Sequence, residues 1–540
     1  MDLHIIGAEP APEERAAVDG LLGPPESGWL GGARNIDRDG RVSRTGLDEV
    51  TDRRDLLLPA FHAVQDRIGW VSRGALNYIC RRLIVPPAEA WGVLTFYHLF
   101  NTEPEPPVVA HVCDDIACRL KGAEALVCSA EQIVGSGGAS ASAKASARLA
   151  EAREAFPRER RRSAPPGGLV KRSPCLGQCD RPVAALIIGA GEKPTATTLV
   201  NVASANEIAL ALANVRSGAA SAPPSTGPAH VVGSKILRRI GHVDPRSLDS
   251  YRAHGGYLAL ARALDVGPRA VIDEVTASNL LGRGGAAFPT GRKWDAVARE
   301  RATPHFLVCN ADESEPGTFK DRVLLEEDPF ATVEAMSIAG FACGCSRGFI
   351  YLRGEYPLAR ERVQQAIDSA HAAGLLGDRI LGSQFSFDIE IRRGAGAYIC
   401  GEETALFNSL EGRRGEPRSK PPFPAEVGLF GKPTVVNNVE TLVNVLDIVL
   451  EGGAEWAKVG TRQSTGTRLF CVSGHVARAG LYELPFGQTV GELLELAGGV
   501  ADGRRLQGIL LGGAAGTFVG PDALSLKLTF EDVRAAGATL

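Results

Sequence analysis

From Asp55 onward apolar residues recur at mostly three- and four-residue steps: Leu56, Leu57, Leu58, Phe61, Val64, Ile68, Val71, Leu76 and Ile79. That period predicts helix. Further short helices are expected to about Phe100, before Thr102–Pro107 (TEPEPP) breaks any helix. Residues 1–47 are polar, interrupted by Gly and Pro, and show no clear period. They read as an extension with little core of its own. Residues 108–215 read as alternating strands and helices, starting with the β-prone run Val108–Val112. Inside them Gly135–Gly168 is a low-complexity insertion of Ala, Ser and Arg. Its run Arg158–Arg162 reads as a solvated segment rather than a nucleic-acid patch. Ser217–Gly233 is a linker by composition.

Beyond the linker the alternation resumes. Phe306–Cys309 and Gly348–Leu352 read as buried strands, and Pro329–Cys343 and Pro357–Ala373 as helices. This is an α/β layered pattern. From about Thr467 the elements shorten to a strand at Arg468–Val472, a turn at Gly480, a strand at Leu481–Leu484 and a helix at Val490–Ala497. That suggests a small α+β domain.

A chain of 540 residues leaves room for three or four domains. Its 44% apolar and 23% charged content excludes whole-chain disorder. Fifty-nine basic residues against 63 acidic ones argue against a general polyanion binder. No apolar run is long enough for a membrane span, and the first residues lack the pattern of a secretory signal. A cytoplasmic protein, held at most to the membrane's cytoplasmic face through partners, is expected.

An odd count of eleven cysteines does not suggest a disulfide framework. Four stand apart: Cys113 and Cys118, separated by four residues, and Cys175 and Cys179, separated by three. Both pairs follow β-prone stretches, so two loops could bring four thiolates around one [2Fe–2S] cluster. Zinc also takes four thiolates, although its structural sites favour two intervening residues. Spacing alone leaves the cluster, zinc and unrelated free thiols open.

Three loops carry candidate binding chemistry. Gly282–Gly291 (GRGGAAFPTG) leads into Arg292-Lys293-Trp294. Its glycines would let backbone amides approach a phosphate, with Arg283 and Lys293 able to pair with it. It is neither a dinucleotide GxGxxG nor a P-loop. Asn310–Asp321 follows an apolar strand, where ligands of open α/β sheets sit. Gly394–Glu403 is a second glycine loop, ending in paired acids with no nucleophile or histidine beside them. Pro433–Asn438 reads as a polar loop opening a helix. Gly344–Gly348 matches GxSxG, but helix precedes strand there, so hydrolysis finds little support.

Taken together these stretches resemble a known family. Gly282–Trp294, Asn310–Arg322, Gly394–Glu403 and Lys420–Thr441 (KPPFPAEVGLFGKPTVVNNVET) are similar to the flavin- and NADH-binding 51 kDa-type subunit of the respiratory complex I family. That family includes the diaphorase subunits of NAD-reducing hydrogenases and NAD-dependent formate dehydrogenases. Residues 52–212, with Cys113, Cys118, Cys175 and Cys179, resemble its 24 kDa-type partner. The resemblance implies a fusion of the two, and with it an α/β multidomain fold. Residues 48–107 would form the helical part of the 24 kDa-type subunit. Residues 108–216 would form a thioredoxin-like [2Fe–2S] domain with 135–168 as an insertion. The linker 217–233 would lead to a Rossmann-like FMN/NADH domain at 234–460 and a ubiquitin-like α+β domain at 461–540.

The resemblance also implies roles. Gly282, Arg283, Gly284, Gly285 and Lys293 would hold the FMN phosphate and neighbouring groups. Asn310, Asp312 and Glu313 would bind the flavin, with Asn437, Asn438 and Thr441 nearby. Tyr398, Gly401, Glu402 and Glu403 would line the flavin and nucleotide site, the two acids positioning rather than catalysing. Phe288 and Phe423 would flank NADH, with Glu315 and Lys420 contacting it. The four cysteines would ligate the cluster.

The family normally continues into a helical domain with a [4Fe–4S] cluster, whereas no cysteine follows Cys471 here. A truncated chain is the expectation. The expected activity is NADH oxidation or NAD reduction through FMN and iron–sulfur clusters, inside a larger complex. The leading partner is a molybdenum- or tungsten-dependent formate dehydrogenase α subunit. A complex I 75 kDa-type subunit and a hydrogenase follow, with no nucleic acid. The competing readings are a non-enzymatic iron–sulfur scaffold and a zinc-binding interaction protein.

Overall fold

The computed structural model describes residues 7–36, 39, 53–135, 168–218 and 230–540. Helices Leu57–Ile68, Arg73–Leu83 and Pro87–Leu94 follow the predicted period, with Leu57, Leu58, Phe61 and Val64 turned inward. Ser72 caps the second of them by accepting from the Ala75 amide at 3.0 Å. The N-terminal stretch differs from its expectation. Pro12–Leu22 is a helix that buries Val18 and Leu22, residues one helical turn apart. Its Asp19 accepts from the Tyr78 hydroxyl at 2.7 Å and pairs with Arg82. This part of 1–47 therefore belongs to the helical core.

The next layer is a four-stranded sheet of β1 (Val108–Cys113), β2 (Leu169–Ser173), β3 (Ala185–Gly189) and β4 (Thr195–Leu199), in the order β2-β1-β3-β4. β1 runs parallel to β2 and antiparallel to β3. Helices Ala123–Gly135 and Ala205–Ser217 cover it. The insertion, with Arg158–Arg162, lies outside the described residues except at its ends. Of the expected linker, 219–229 also lie outside them. Val231–Val232, by contrast, is a short strand (β5) and no spacer.

The second half is built on a parallel sheet of β6 (His305–Ala311), β7 (Cys345–Leu352), β8 (Asp388–Arg393) and β9 (Thr434–Asn438), in the order β8-β7-β6-β9. Side chains alternate across it. Leu307, Cys309, Ile350 and Leu352 face one core with helices Pro329–Cys343 and Val439–Glu451. Phe306, Val308, Phe349 and Tyr351 face the other, against the N-terminal helices. The helical part of the first half thus covers a face of the second half's sheet. The stretch expected as a polar loop at 433–438 is strand β9. Its paired Val435 and Val436 are buried, and its asparagines reach the carboxyl end of the sheet. Ser346 lies within β7 after a helix, so no nucleophile elbow forms.

The last unit joins β10 (Thr467–Val472) and β11 (Gly480–Pro485) antiparallel, with β5 parallel to β11. Helix Val490–Leu496, closed by a Thr489/Glu492 capping box, packs on them. A hairpin of β12 (Ile509–Leu511) and β13 (Thr517–Val519) follows. Among the described residues no helix is long and apolar enough to cross a membrane.

Candidate functional site

Cys113 closes β1, and Cys118 sits on the short helix Ile116–Leu120, started by the Asp115 cap. Cys175 and Cys179 lie on the loop after β2. All four are buried. Cys175 Sγ is 3.3 Å from Cys179 Sγ, and Cys118 and Cys175 are close enough to Cys113 to push its thiol up. Thiol donors on either side and the nearby Arg353 cation hold Cys175 well below the usual thiol range. Among the described residues no three His, Cys, Asp or Glu side chains converge at single-ion spacing. Four buried thiols on two neighbouring loops are the donor set a [2Fe–2S] cluster takes. The amide of Gly177 donates to Cys175 Sγ at 3.4 Å. Buried soft donors, with an N–H group aimed at the Cys175 sulfur, fit a [2Fe–2S] cluster.

The cysteine loop packs straight onto the second half. Asp180 accepts from Arg322 Nη2 at 2.8 Å, both side chains fully buried. Arg353 donates to the Cys175 carbonyl and, at 3.1 Å, to that of Glu313. Gly177 meets Tyr356 so closely that a Cβ would lie 2.1 Å from the hydroxyl.

On the other side of that contact is a cavity of about 1320 Å³. Its wall includes Gly284, Gly285, Asn310, Asp312, Glu313, Glu315, Tyr398, Gly401, Glu402 and Asn438. Gly282 folds back through its amide onto the Phe288 carbonyl at 2.9 Å, which makes the glycine loop tight. At Gly284 a Cβ would lie 3.1 Å from that of Asn438, so the loop closes on the start of helix Val439–Glu451. Thr441 holds the loop by accepting from the Arg283 amide at 2.8 Å.

Several side chains do something other than expected. The Arg283 guanidinium lines the cavity, but backbone carbonyls take its Nη1 and Nη2. It is buried, donates to the carbonyls of Leu281, Thr465 and Thr467, and burial lowers its pKa to about 9. Glu313 turns onto the amides of Asp321 and Arg322 at 2.9 and 3.1 Å and starts helix Lys320–Glu327. Burial, with the Asp321 charge beside it, pushes its carboxyl up to about 7. Asn437 accepts from Trp294 Nε1 at 2.8 Å. Lys293 donates to the Val436 carbonyl at 3.0 Å and lies 3.5 Å from Glu403. Lys420 bridges Glu402 and Glu403 at 3.0 and 2.7 Å. Partial burial raises the Glu402 pKa, but hydrogen bonds from Thr404, Ala405 and Lys420 outweigh it and hold the group ionised. Two neutralised acids suit positioning better than proton abstraction. Glu315 is taken by the Tyr398 hydroxyl and, at 3.0 Å, by the Ala515 amide of the last unit. Phe288 and Phe423 are exposed and lie off the cavity wall.

Two buried atoms bear on whether FMN fits. Asp312 Oδ2 has no hydrogen-bond partner, and burial followed by the Glu355 charge raises this carboxyl to about 7. Asn310, beside it, anchors Gly401 through its carbonyl at 2.8 Å. Arg468 lines the cavity with Nη1 unpaired. An open acceptor, an open cation, a helix start and a close-approach glycine match a ligand carrying hydroxyls and a phosphate.

Sequence reasoning missed Lys320, Asp321 and Arg468 in the cavity wall, and Asp180, Arg322 and Arg353 behind it. Lys320 and Asp321 lay within the Asn310–Arg322 motif and could have been found. The others are joined to the site only by the fold.

Three family descriptions match the chain. They are the Nuo51 FMN-binding domain at residues 275–447, the thioredoxin-like [2Fe-2S] ferredoxin at 44–153 and the SLBB domain at 469–516. A subunit of the NADH-quinone oxidoreductase of Rhizobium meliloti (strain 1021) is 48% identical over 307 residues, covering 56% of this chain and 73% of the relative. The HndC subunit of the NADP-reducing hydrogenase of Solidesulfovibrio fructosivorans is 46% identical over 299 residues, 55% of this chain and 61% of its own. A chain from the crystal structure of an NAD+-reducing [NiFe]-hydrogenase in the air-oxidised state superposes with a TM-score of 0.71 at 31% identity. It covers 91% of this chain and 77% of its own length.

Proposed function

Because the chain belongs to the family of the FMN-binding subunits of NADH-quinone oxidoreductase, we propose that it is the NADH-oxidising, or NAD-reducing, electron-transfer unit of a larger complex. The observation that carries this reading is the packing of the four-cysteine loop against the acidic loop that walls the cavity. When bound, FMN supplies a hydride acceptor that releases electrons singly, and a [2Fe–2S] cluster supplies a one-electron carrier.

The chain's own residues bind and orient. Gly284 and Gly285 bring backbone to the phosphate at the start of helix Val439–Glu451, with Lys320 and Arg468 as cations. Asp312 accepts from a flavin hydroxyl. Arg283, Thr441 and Asn437 hold the loops from behind. Glu402, Glu403, Lys293 and Lys420 form a charge-balanced rim. Exposed Phe288, Phe423 and Tyr398 offer faces for the nucleotide. Hydride transfer needs no protein base. Cys113, Cys118, Cys175 and Cys179 ligate the cluster.

Anaerobic NADH should bleach the flavin absorbance of FMN-loaded protein; an unbleached flavin ends the NADH reading. Cys113→Ser should remove the [2Fe–2S] paramagnetic signal, and an unchanged signal moves the cluster elsewhere. NADH-dependent ferricyanide reduction separates an enzyme from a scaffold.

The partner is a finer proposal. The fused layout suggests the catalytic subunit of a molybdenum- or tungsten-dependent formate dehydrogenase in the cytoplasm. Likeness over 91% of the chain to a chain of an NAD+-reducing hydrogenase supports a hydrogenase partner instead. NAD+ reduction by the complex purified through a tag on this chain, with formate or with hydrogen as donor, decides between them.

A further inference from the structure

The four cysteines of the [2Fe–2S] site belong to the first half of the chain, yet a buried cation that holds their loop comes from the second. The Arg353 guanidinium, just past β7, donates to the Cys175 carbonyl and to the Glu313 carbonyl, tying a cluster ligand to the cavity wall. Arg353 is buried, with Glu355 3.5 Å from its Nε. Resting on the proposed function, we infer that Arg353 is a positioning residue that raises the reduction potential of the [2Fe–2S] cluster, so that this potential is a property of both halves together.

A reduced cluster carries one more negative charge than an oxidised one. A cation and N–H donors beside the sulfurs stabilise the reduced form and raise the potential. Burial makes the effect large, because little solvent screens a charge there. Other charges face the same loop. Asp115 accepts from the Cys175 amide at 3.2 Å, and Asp180 is balanced by Arg322. Glu355, 3.5 Å from Arg353 Nε, and Asp312 oppose its charge. Removing the guanidinium leaves these two carboxyls without their counter-ion.

The test is an anaerobic redox titration of the whole FMN-loaded chain, read by the paramagnetic signal of the reduced cluster. Arg353→Gln should lower the midpoint by at least a tenfold change in the one-electron equilibrium, about 59 mV. Arg353→Lys should recover part of it. Glu355→Gln, which deletes the opposing charge, should raise the midpoint, and it decides the matter if Arg353→Gln fails to fold. A midpoint unmoved in Glu355→Gln and in any folded Arg353→Gln overturns the inference. Absence of the signal from the unsubstituted protein would instead overturn the cluster assignment itself.

Discussion

Replacing Arg322 with Met removes the cation of an ion pair that joins the two halves. Arg322 Nη2 stands 2.8 Å from Asp180 Oδ1, with no exposed surface on either side chain. Nη1 lies 3.1 Å from Glu326, and Arg181 Nε lies 3.5 Å from Asp180. Attraction within such a pair is largely offset by desolvation, so the pair itself adds little. Breaking it is different, because the Asp180 carboxylate stays in a dry interface. That costs about 3–5 kcal/mol, and the remaining Arg181 argues for about 3.

The cost falls on the contact between the cysteine loop and helix Lys320–Glu327. A global melting temperature is a poor measure in a chain of several units. Native-state hydrogen exchange reads local opening directly. A loss of about 3 kcal/mol should speed exchange of the amides of 175–181 by about a hundredfold, at about 1.4 kcal/mol per tenfold. Amides of β3 should change far less. The double variant Asp180→Leu with Arg322→Met, which removes both charges, should recover most of the protection. Unchanged exchange in the single variant, or a double variant as labile as the single one, refutes the reasoning.

Asp312 should make stability depend on pH. Its folded pKa of about 7 lies above the ordinary carboxyl value. The folded state therefore keeps a proton that the unfolded state has already released, and wild type loses stability as pH rises through the interval from about 4 to about 7. In flavin-free protein Asp312→Asn should gain on wild type by a few kcal/mol across that interval and no further above it; a constant difference in chemical denaturation would refute this. Arg468→Met should raise the stability of flavin-free protein by about 1–3 kcal/mol, since a buried cation with an unsatisfied Nη1 is removed. It should also weaken FMN more than riboflavin, and equal losses in a titration of both flavins would show that Arg468 does not meet the phosphate. Gly177→Ala places a Cβ against Tyr356 at a backbone φ of +67°. It should loosen the same interface as Arg322→Met, and a wild-type exchange pattern at 175–181 would refute the close approach.

What the sequence disclosed, and what it withheld, divides by range. Helices with a sustained period were legible, and Pro329–Cys343 has the bounds its pattern suggests. The clustering of the cysteines was legible as well, because each pair sits on one local turn after a strand. β9 was not, because five residues ending in two asparagines carry no period, and only pairing with β6 makes them a strand. Pro12–Leu22 hid among polar residues, since two buried side chains suffice once a partner helix exists.

Side-chain direction was the least legible property of all. Arg283 sits where a phosphate-binding arginine could sit, yet it faces carbonyls about 180 residues later in the chain. Glu313 lies among flavin-binding candidates and starts a helix instead. Both buried charges are held by hydrogen bonds within the protein, and both keep the loops in place. Among the described residues of the cavity wall, buried atoms without a hydrogen-bond partner lie on Arg283, Asp312 and Arg468. A folded chain leaves a buried group unpaired only at a cost, so these residues, alongside the glycine motifs, are the candidates for meeting a ligand. Arg468 comes from the last unit of the chain. On the proposed function that unit contributes to the flavin site, and a chain without it should bind FMN less tightly even with every glycine and acidic loop intact.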